Sequence, residues 1–266
     1  MKNTFKNFSR FLIVLFITLI FAQIMHDRIV ITLLSKACIN TPLINEQNIG
    51  EKVIYLTFDD GPSVITNKIL DILKEKDVKA TFFLIGNQIV GFEDTVKRIH
   101  KEEHSIGLHT YTHKFKRIYR NNDNFIKEMN DCRNEINKIT GTNPNIIRFP
   151  GGSRKRLNNE FLNKLHKDNF KIYDWNVQVS DGINPKTPSS KLFREATTDT
   201  DSISSIILLM HCDYMHKNTC EALPKIIEYY KQQGYVFKPI TENTSELYFP
   251  SSKKTLKSIF DITTSK

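Results

Sequence analysis

From residue 52 to residue 239 the chain alternates short apolar runs with longer amphipathic segments. A short apolar run bounded by turn residues predicts a buried strand, whereas apolar residues spaced about three or four apart predict a helix. Strands are predicted over residues 53–58, 80–85, 105–109, 146–149, 170–175, 205–210 and 235–239. Helices are predicted between them over residues 65–76, 94–101, 124–139, 158–167, 191–197 and 221–232. This alternation indicates one α/β domain built on a parallel sheet or barrel.

The N-terminal residues have the pattern of an export segment. Lys2, Lys6 and Arg10 precede an apolar stretch over residues 11–25. Cations before an apolar stretch place the N-terminus in the cytoplasm and the following chain outside. The stretch is shorter than the roughly 20 residues of a spanning helix, and no A-x-A cleavage signal follows it. We expect an uncleaved signal anchor, with cleavage near Ala37 and secretion as the alternative.

These patterns divide the chain into four parts. Residues 1–25 form the signal anchor or signal peptide, and residues 26–50 form a linker. The α/β domain is predicted over residues 51–245, and the Ser- and Lys-rich residues 246–266 are predicted to be a C-terminal tail. In either version of the export prediction the α/β domain is extracytoplasmic.

Composition excludes some classes of protein. The chain is 39% hydrophobic and contains 18 phenylalanines, which is enough for a large core. Its formal charge of +9 comes from basic residues that are scattered along the sequence. The positive charge reflects either a general bias in composition or a role in binding anionic lipids or wall polymers. No nucleic-acid motif is present, so a nucleic-acid partner is not expected, and we expect a monomer.

The four cysteines are too few and too scattered for a disulfide framework. Cys212 and Cys220 are either a single bridge or free thiols. No structural zinc site is expected, because the sequence has neither C-x-x-C nor a zinc-finger spacing.

Polar residues cluster where the predicted strands end. The clusters are Asp59-Asp60, the segment 109–113 (HTYTH), Arg148, Asp181 and His211. In parallel α/β folds the carboxyl ends of the strands form one edge, and active sites lie there. We therefore expect these five segments to meet at one site.

The same segments resemble a known family. TFDDGP at residues 57–62, HTYTH, RFPGG at residues 148–152, the segment from Trp175 to Asp181, and LLMH at residues 208–211 resemble the five motifs of polysaccharide deacetylases. This is the NodB homology domain, carbohydrate esterase family 4, and the resemblance covers residues 51–241. It implies a distorted, incomplete (β/α) barrel of about seven parallel strands. It also implies metal-dependent removal of acetyl groups from amino sugars.

Amide hydrolysis requires an activated water, a polarised carbonyl and a proton for the leaving nitrogen. His109 and His113 with one carboxylate form a metal-binding face that leaves positions open for water and substrate. Zn²⁺ fits this ligand set, which also accepts Co²⁺, Ni²⁺ or Fe²⁺. The resemblance implies that Asp60 is the metal carboxylate and that Asp59 is the general base.

The resemblance also implies roles for the other motif residues. Arg148 is expected to orient Asp59, Asp181 to hold Arg148, and His211 to protonate the departing amine. A backbone N–H near Gly151 is expected to stabilise the oxyanion. Trp175 and Leu209 are expected to line the pocket for the acetyl methyl group, although Trp175 is interpreted equally well as a core residue. A hydroxyl of Thr110 or Thr112 is expected to tether a ligand histidine.

Two positions depart from the family pattern. Gly182 follows Asp181 where a tryptophan is common, and Gly151 stands where an aromatic residue is common. Among the histidines outside the motifs, three are interpreted as surface or linker residues: His104, His166 and His216.

Three functions remain open from the sequence. The first is deacetylation of peptidoglycan N-acetylglucosamine, or of its N-acetylmuramic acid. The second is deacetylation of another acetylated polysaccharide, a chitin-type oligosaccharide or an O-acetyl ester. The third is a catalytically silent glycan-binding module retained at the wall, and the intact motif set argues against it.

Overall fold

The computed structural model of the 266-residue chain describes Met25 and residues 51–249. The predicted export segment (apart from Met25), the predicted linker and residues 250–266 of the predicted tail lie outside the described residues. Within the described part of the chain, no helix has the length and apolar character needed to cross a membrane.

The strands within residues 51–249 form one parallel sheet. Its strands are β1 (Val53–Gly61), β2 (Thr81–Leu84), β3 (Ser105–Leu108), β4 (Ile146–Ile147), β5 (Lys171–Ile172), β6 (Val177–Gln178), β7 (Ser205–His211) and β8 (Val236–Phe237). Their order is β5-β4-β3-β2-β1-β7-β6, and every pairing is parallel. β8 pairs with the first residues of β1, below the part that pairs with β2. β5 and β6 are not paired within the described residues, so the predicted incomplete barrel is confirmed.

The helices cover the outside of the curled sheet. They are α1 (Val64–Glu75), α2 (Glu93–Lys101), α3 (Phe115–Ile118), α4 (Asn122–Thr140), α5 (Asn159–Lys167), α6 (Ser189–Thr197) and α7 (Lys217–Gln232). Two short 3₁₀ segments cover Gly86–Gln88 and Ser180–Gly182. α1 begins directly after TFDDGP because the Ser63 side chain caps it and accepts the backbone N–H of Ile65.

The predicted strands and helices all form, with shifted ends. The strands predicted over residues 146–149, 170–175 and 235–239 keep only two paired residues each. β6 and α3 were not predicted, because two and four residues are too few to show a hydrophobic period.

Alternation along β1 separates two cores. Ile54, Leu56 and Phe58 are fully buried in the large core that also contains the apolar residues of the helices. Thr57 and Asp59 point to the other face, because successive side chains of a strand alternate. On that inner face a smaller cluster includes Phe83, Tyr173 and Ile207. The barrel interior therefore leads directly to Asp59.

The packed domain extends beyond residue 245. Leu247 forms a bridge with Tyr173, and the Phe249 ring lies 5.4 Å from that of Trp175. The boundary predicted at residue 245 thus falls inside a packed segment. Cys132, Cys212 and Cys220 are free thiols, so the alternative of a Cys212–Cys220 bridge is wrong.

Candidate active site

The two carboxylates of TFDDGP converge because β1 is irregular at its end. A regular strand would point Asp59 and Asp60 to opposite faces. The register with β2 shifts between Asp59 and Gly61, and Asp60 has a left-handed φ of 67°. As a result His109 Nε2 lies 3.7 Å from Asp59 Oδ2 and 3.5 Å from Asp60 Oδ1. A left-handed aspartate is strained, and such strain is concentrated at functional sites.

Asp60, His109 and His113 form a group that can hold a metal ion. The Nε2 atoms of His109 and His113 lie 3.5 Å and 3.4 Å from Asp60 Oδ1. That oxygen is buried and accepts no hydrogen bond from any of the described residues. A buried carboxylate oxygen without a donor is costly unless a cation satisfies it. The donor set therefore fits a divalent metal with two nitrogen ligands and one oxygen ligand.

His109 is held in the state that a metal ligand needs. Its Nδ1 lies 2.9 Å from the backbone oxygen of Arg148, which only accepts, so Nδ1 carries the proton and donates it. Burial lowers the pKa of His109 to about 3. The ring is therefore neutral at physiological pH and presents a lone pair at Nε2.

Arg148 holds Asp59 from inside the barrel. Its guanidinium is fully buried, and Nη1 donates to Asp59 Oδ1 at 2.9 Å and to Thr57 Oγ1 at 2.7 Å. Nε and Nη2 donate to the backbone oxygens of Tyr173 and Asp174. Burial raises the pKa of the Asp59 carboxyl, and the charge of Arg148 opposes that rise. The predicted contact between Arg148 and Asp59 is present.

The predicted contact between Asp181 and Arg148 is wrong. The Asp181 carboxylate contacts His211 instead: Oδ1 lies 2.9 Å from His211 Nδ1, and Oδ2 accepts the His211 backbone N–H at 2.9 Å. The Thr219 hydroxyl also donates to Oδ2. The reason is positional, because the 3₁₀ segment with Asp181 lies beside β7, whereas Arg148 donates its bonds inside the barrel.

Asp181 changes the acid–base behaviour of His211. Burial alone would lower the pKa of His211, but the hydrogen bond and charge of Asp181 raise it, assisted by the charges of Asp59 and Asp60. The result is a pKa of about 9. His211 is therefore protonated at neutral pH and can donate a proton from Nε2.

Two histidines outside the motifs are not surface residues. His216 is buried and stacks on the His211 ring with centroids 5.4 Å apart. Its Nδ1 lies 2.7 Å from Asp213 Oδ1, and its Nε2 faces the backbone oxygen of Asp181 at 3.3 Å. His104 is buried as well, and burial lowers its pKa to about 4. The interpretation of both as surface or linker residues is wrong, because His216 packs on His211 at the start of α7, and His104 packs on Phe82 and accepts the backbone N–H of Ala80. His166 pairs with Glu246 at the surface, as expected.

One cavity is lined by most of the predicted site residues, whereas Arg148 and Asp181 lie behind its wall, in contact with Asp59 and His211. It has a volume of about 260 Å³, and its walls include Asp59, Asp60, His109, His113, Gly151, Trp175, Leu209 and His211. Trp175 therefore lines the pocket. Phe115, Gln178, Val179, Gly182 and Ile183 also line it and were not predicted.

Glycine at position 182 has a steric reason. A Cβ there would lie 2.3 Å from Cε1 of the His211 ring, so no side chain fits without moving His211. The glycine that departs from the family pattern at position 182 therefore leaves the space that the His211 ring occupies.

Glu128 is a site residue that the sequence interpretation missed. Its carboxylate is buried and accepts the backbone N–H groups of Tyr111 and Thr112 at 3.1 Å and 2.7 Å. Thr112 also donates its hydroxyl to Glu128, whereas Thr110 Oγ1 accepts the backbone N–H of His113. The signal in the sequence was a lone acid on the apolar face of the predicted helix over residues 124–139.

Two histidines and one orphaned carboxylate, next to a second carboxylate and a protonated histidine, are groups that metal-assisted hydrolysis requires. A family model for polysaccharide deacetylases matches residues 46–172. The chain is 37% identical over 203 residues to a peptidoglycan-N-acetylglucosamine deacetylase of Bacillus cereus, covering 75% of this chain and 72% of that protein. It is 31% identical over 207 residues to a chitin deacetylase of Colletotrichum lindemuthianum, covering 74% and 80%.

The structural comparison agrees. The crystal structure of a polysaccharide deacetylase from Bacillus cereus matches with a TM-score of 0.70 at 35% identity, covering 75% of this chain and 97% of that chain. The chain therefore belongs to the polysaccharide deacetylase family and is a hydrolase of that class. The resemblance predicted from the five motifs is confirmed.

The Glu128→Gln variant should bind metal about 10- to 100-fold more weakly than the wild type. An amide supplies one acceptor oxygen where the carboxylate has two, so the segment that carries His113 loses part of its hydrogen bonding to helix α4. Competition with a chromophoric chelator measures the affinity. Asp131→Asn is the matched control, because Asp131 lies on the same helix α4 and pairs with surface Lys127. Equal metal affinity in both variants would contradict the anchoring role.

The Asp181→Asn variant should shift the alkaline limb of the pH–rate profile to lower pH. A proton donor must be protonated, so wild-type kcat/KM should fall as pH rises through about 9, the pKa of His211. Without the Asp181 charge, mainly the charges of Asp59 and Asp60 oppose the effect of burial, so the pKa of His211 should fall from about 9 towards its ordinary value of about 6.5. Initial rates of acetate release from about pH 5 to pH 10 measure the limb. An unmoved limb in the variant would show that another group donates the proton.

Proposed function

We propose that this chain removes N-acetyl groups from the amino sugars of an extracellular glycan, with peptidoglycan N-acetylglucosamine as the substrate. The observation that supports this most directly is the single cavity lined by Asp59, Asp60, His109, His113 and His211. It brings a buried base, a metal-binding group and a charged acid to one place. The similarity to the Bacillus cereus N-acetylglucosamine deacetylase supports the choice of sugar.

The proposed reaction divides the proton transfers between two residues. Asp59, oriented by Arg148, accepts a proton from the attacking water. His211, oriented by Asp181, donates a proton to the nitrogen of the departing amine. Gly151 lines the pocket, and its backbone N–H would stabilise the negative charge that develops on the acetyl oxygen. Trp175 and Leu209 would enclose the acetyl methyl group.

Asp60, His109 and His113 would hold the divalent metal in this proposal. When bound, such an ion polarises the acetyl carbonyl and lowers the pKa of its water. Zn²⁺ is the ion that we propose, and Co²⁺, Ni²⁺ and Fe²⁺ are also compatible with two imidazoles and one carboxylate.

We propose that the domain is extracytoplasmic and held at the membrane by its N-terminal residues. Lys2, Lys6 and Arg10 before the apolar residues 11–25 support this orientation. Protease added to intact cells stripped of their wall should digest the domain. Protection of the domain until the membrane is broken would contradict the proposal.

Acetate release from purified peptidoglycan and from chitin oligomers tests the proposed substrate. We expect faster release from peptidoglycan, and mass spectrometry of the digested product should show glucosamine in place of N-acetylglucosamine. Loss of acetyl from the muramic acid would show that N-acetylmuramic acid is the substrate. A preference for chitin oligomers would show that the substrate is a chitin-type oligosaccharide. The Asp59→Asn variant, which lacks the proposed general base, is the control for acetate that is released without catalysis at this site.

A further inference from the structure

Two basic segments follow two of the motifs that form the active site. Residues 114–120 (KFKRIYR) follow His113, and residues 154–156 (RKR) follow the turn with Gly151. Neither segment contains an acidic residue. We call the lysines and arginines of these two segments the basic rim. The rim is not apparent from the sequence, where basic residues are scattered, because the two segments are more than 30 residues apart.

The two segments form one surface beside the catalytic cavity. The Arg156 guanidinium lies over the Tyr119 ring at 4.0 Å and over the Phe115 ring at 5.2 Å. Arg156 donates to the backbone oxygen of Gly152 at 2.9 Å, and Tyr119 donates to that of Pro150 at 2.8 Å. Phe115 is also a wall of the catalytic cavity, and its ring contacts that of His113. The rim therefore begins where the cavity opens.

Most of the rim charge is not neutralised within the described residues. Arg117 forms an ion pair with Glu128, but no ion pair in the described part of the chain includes Lys116, Arg120 or Lys155. These three side chains are exposed. Lys116, Arg117 and Arg120 also line a concave surface next to α4. Cations that line a concavity concentrate anions from solution.

We infer that the basic rim binds an anionic substituent of the same glycan strand whose acetyl group enters the catalytic cavity. This inference rests on the proposed function, and it adds a charge requirement that a neutral chitin strand does not meet. The substituent is a carboxylate, as on a lactyl ether or a stem peptide, or a phosphate of an attached polymer. Both are matched by lysine and arginine at the edge of a cavity.

The double variant Lys116→Glu/Arg120→Glu tests this inference. Neither residue is placed in the catalytic machinery, and both are exposed, so the fold should be kept. The matched control is Lys68→Glu/Lys225→Glu, which changes the net charge equally on α1 and α7. These two control lysines are exposed and do not line the catalytic cavity.

We expect kcat/KM of the rim variant to fall about tenfold on intact wall glycan and to stay unchanged on neutral chitin oligomers. The control variant should match the wild type on both substrates. Raising the salt concentration should lower kcat/KM of the wild type on wall glycan but not on chitin oligomers. If the tenfold loss persists on glycan freed of phosphate polymers, the rim binds carboxylates, and if it disappears there, the rim binds phosphate.

Three outcomes would overturn the inference. Equal losses on chitin and wall glycan would mean that the variant damages the site, and unchanged turnover on both would mean that the rim does not bind the strand. Weaker binding to vesicles of anionic lipid with unchanged turnover would mean that the rim contacts a membrane. Co-sedimentation with insoluble wall glycan and with insoluble chitin is measured in parallel. If the wild type releases no acetate from any amino sugar, the proposed function fails. Co-sedimentation with wall glycan and with chitin then still shows whether the basic rim binds the anionic substituents.

Discussion

Removal of divalent metal by a chelator should abolish acetate release, and addition of Zn²⁺ or Co²⁺ should restore it. The expectation follows from Asp60 Oδ1, which is buried without a donor and lies within 3.5 Å of two imidazole nitrogens. No hydrogen-bond donor among the described residues satisfies that oxygen. The metal content of the protein, measured by elemental analysis, should fall and recover together with activity.

The fold should survive this treatment. The large core, with Ile54, Leu56 and Phe58 fully buried, does not involve the three ligands. Circular dichroism of the metal-free protein should therefore match that of the untreated protein. Full activity in protein shown to be metal-free would refute the metal-dependent reaction.

Exchange of each aspartate of TFDDGP for asparagine should separate the two carboxylates. Asp59→Asn should retain its metal and lose activity by about 10²- to 10⁴-fold, the effect typical of a lost general base. The amide oxygen of this variant would still accept a hydrogen bond from Arg148, so the buried guanidinium keeps a partner. Asp60→Asn should lose metal affinity and activity together, and excess metal should partly restore the activity.

Metal titration with rate measurement on both variants distinguishes the two roles. Equal metal loss in both would mean that both carboxylates are ligands, and the base would then be sought elsewhere, first at His211. Near-normal turnover by Asp59→Asn would exclude Asp59 as the essential base. His211 has its own carboxylate in Asp181, so the two acid–base pairs are spatially distinct in the structure.

The elements that the sequence predicted well are those with a long hydrophobic pattern. β1, β7 and the helices α1 and α4 show it over many residues, and all of them form. β6 and α3 were missed because they depend on backbone pairing and on packing beside the pocket. The ends of β4, β5 and β8 were overestimated, since an apolar run continues where pairing has already stopped.

By itself the sequence determined which residue types meet at the site. A strand ends where its apolar run ends, so motifs after parallel strands share one edge of the sheet. It could not determine which charged group contacts which. That Asp181 holds His211 rather than Arg148 depends on side-chain directions over distances of a few ångströms.

Only the tertiary structure decided the remaining features, because each depends on contacts between segments distant in sequence. Glu128 anchors the histidine segment from a neighbouring helix, and His216 stacks on His211 from the start of α7. The left-handed Asp60 turns its carboxylate towards two histidines that sequence spacing alone does not place. The hydrophobic pattern of the sequence indicates which side chains of each segment are buried. The tertiary packing determines which side chains of different segments come into contact.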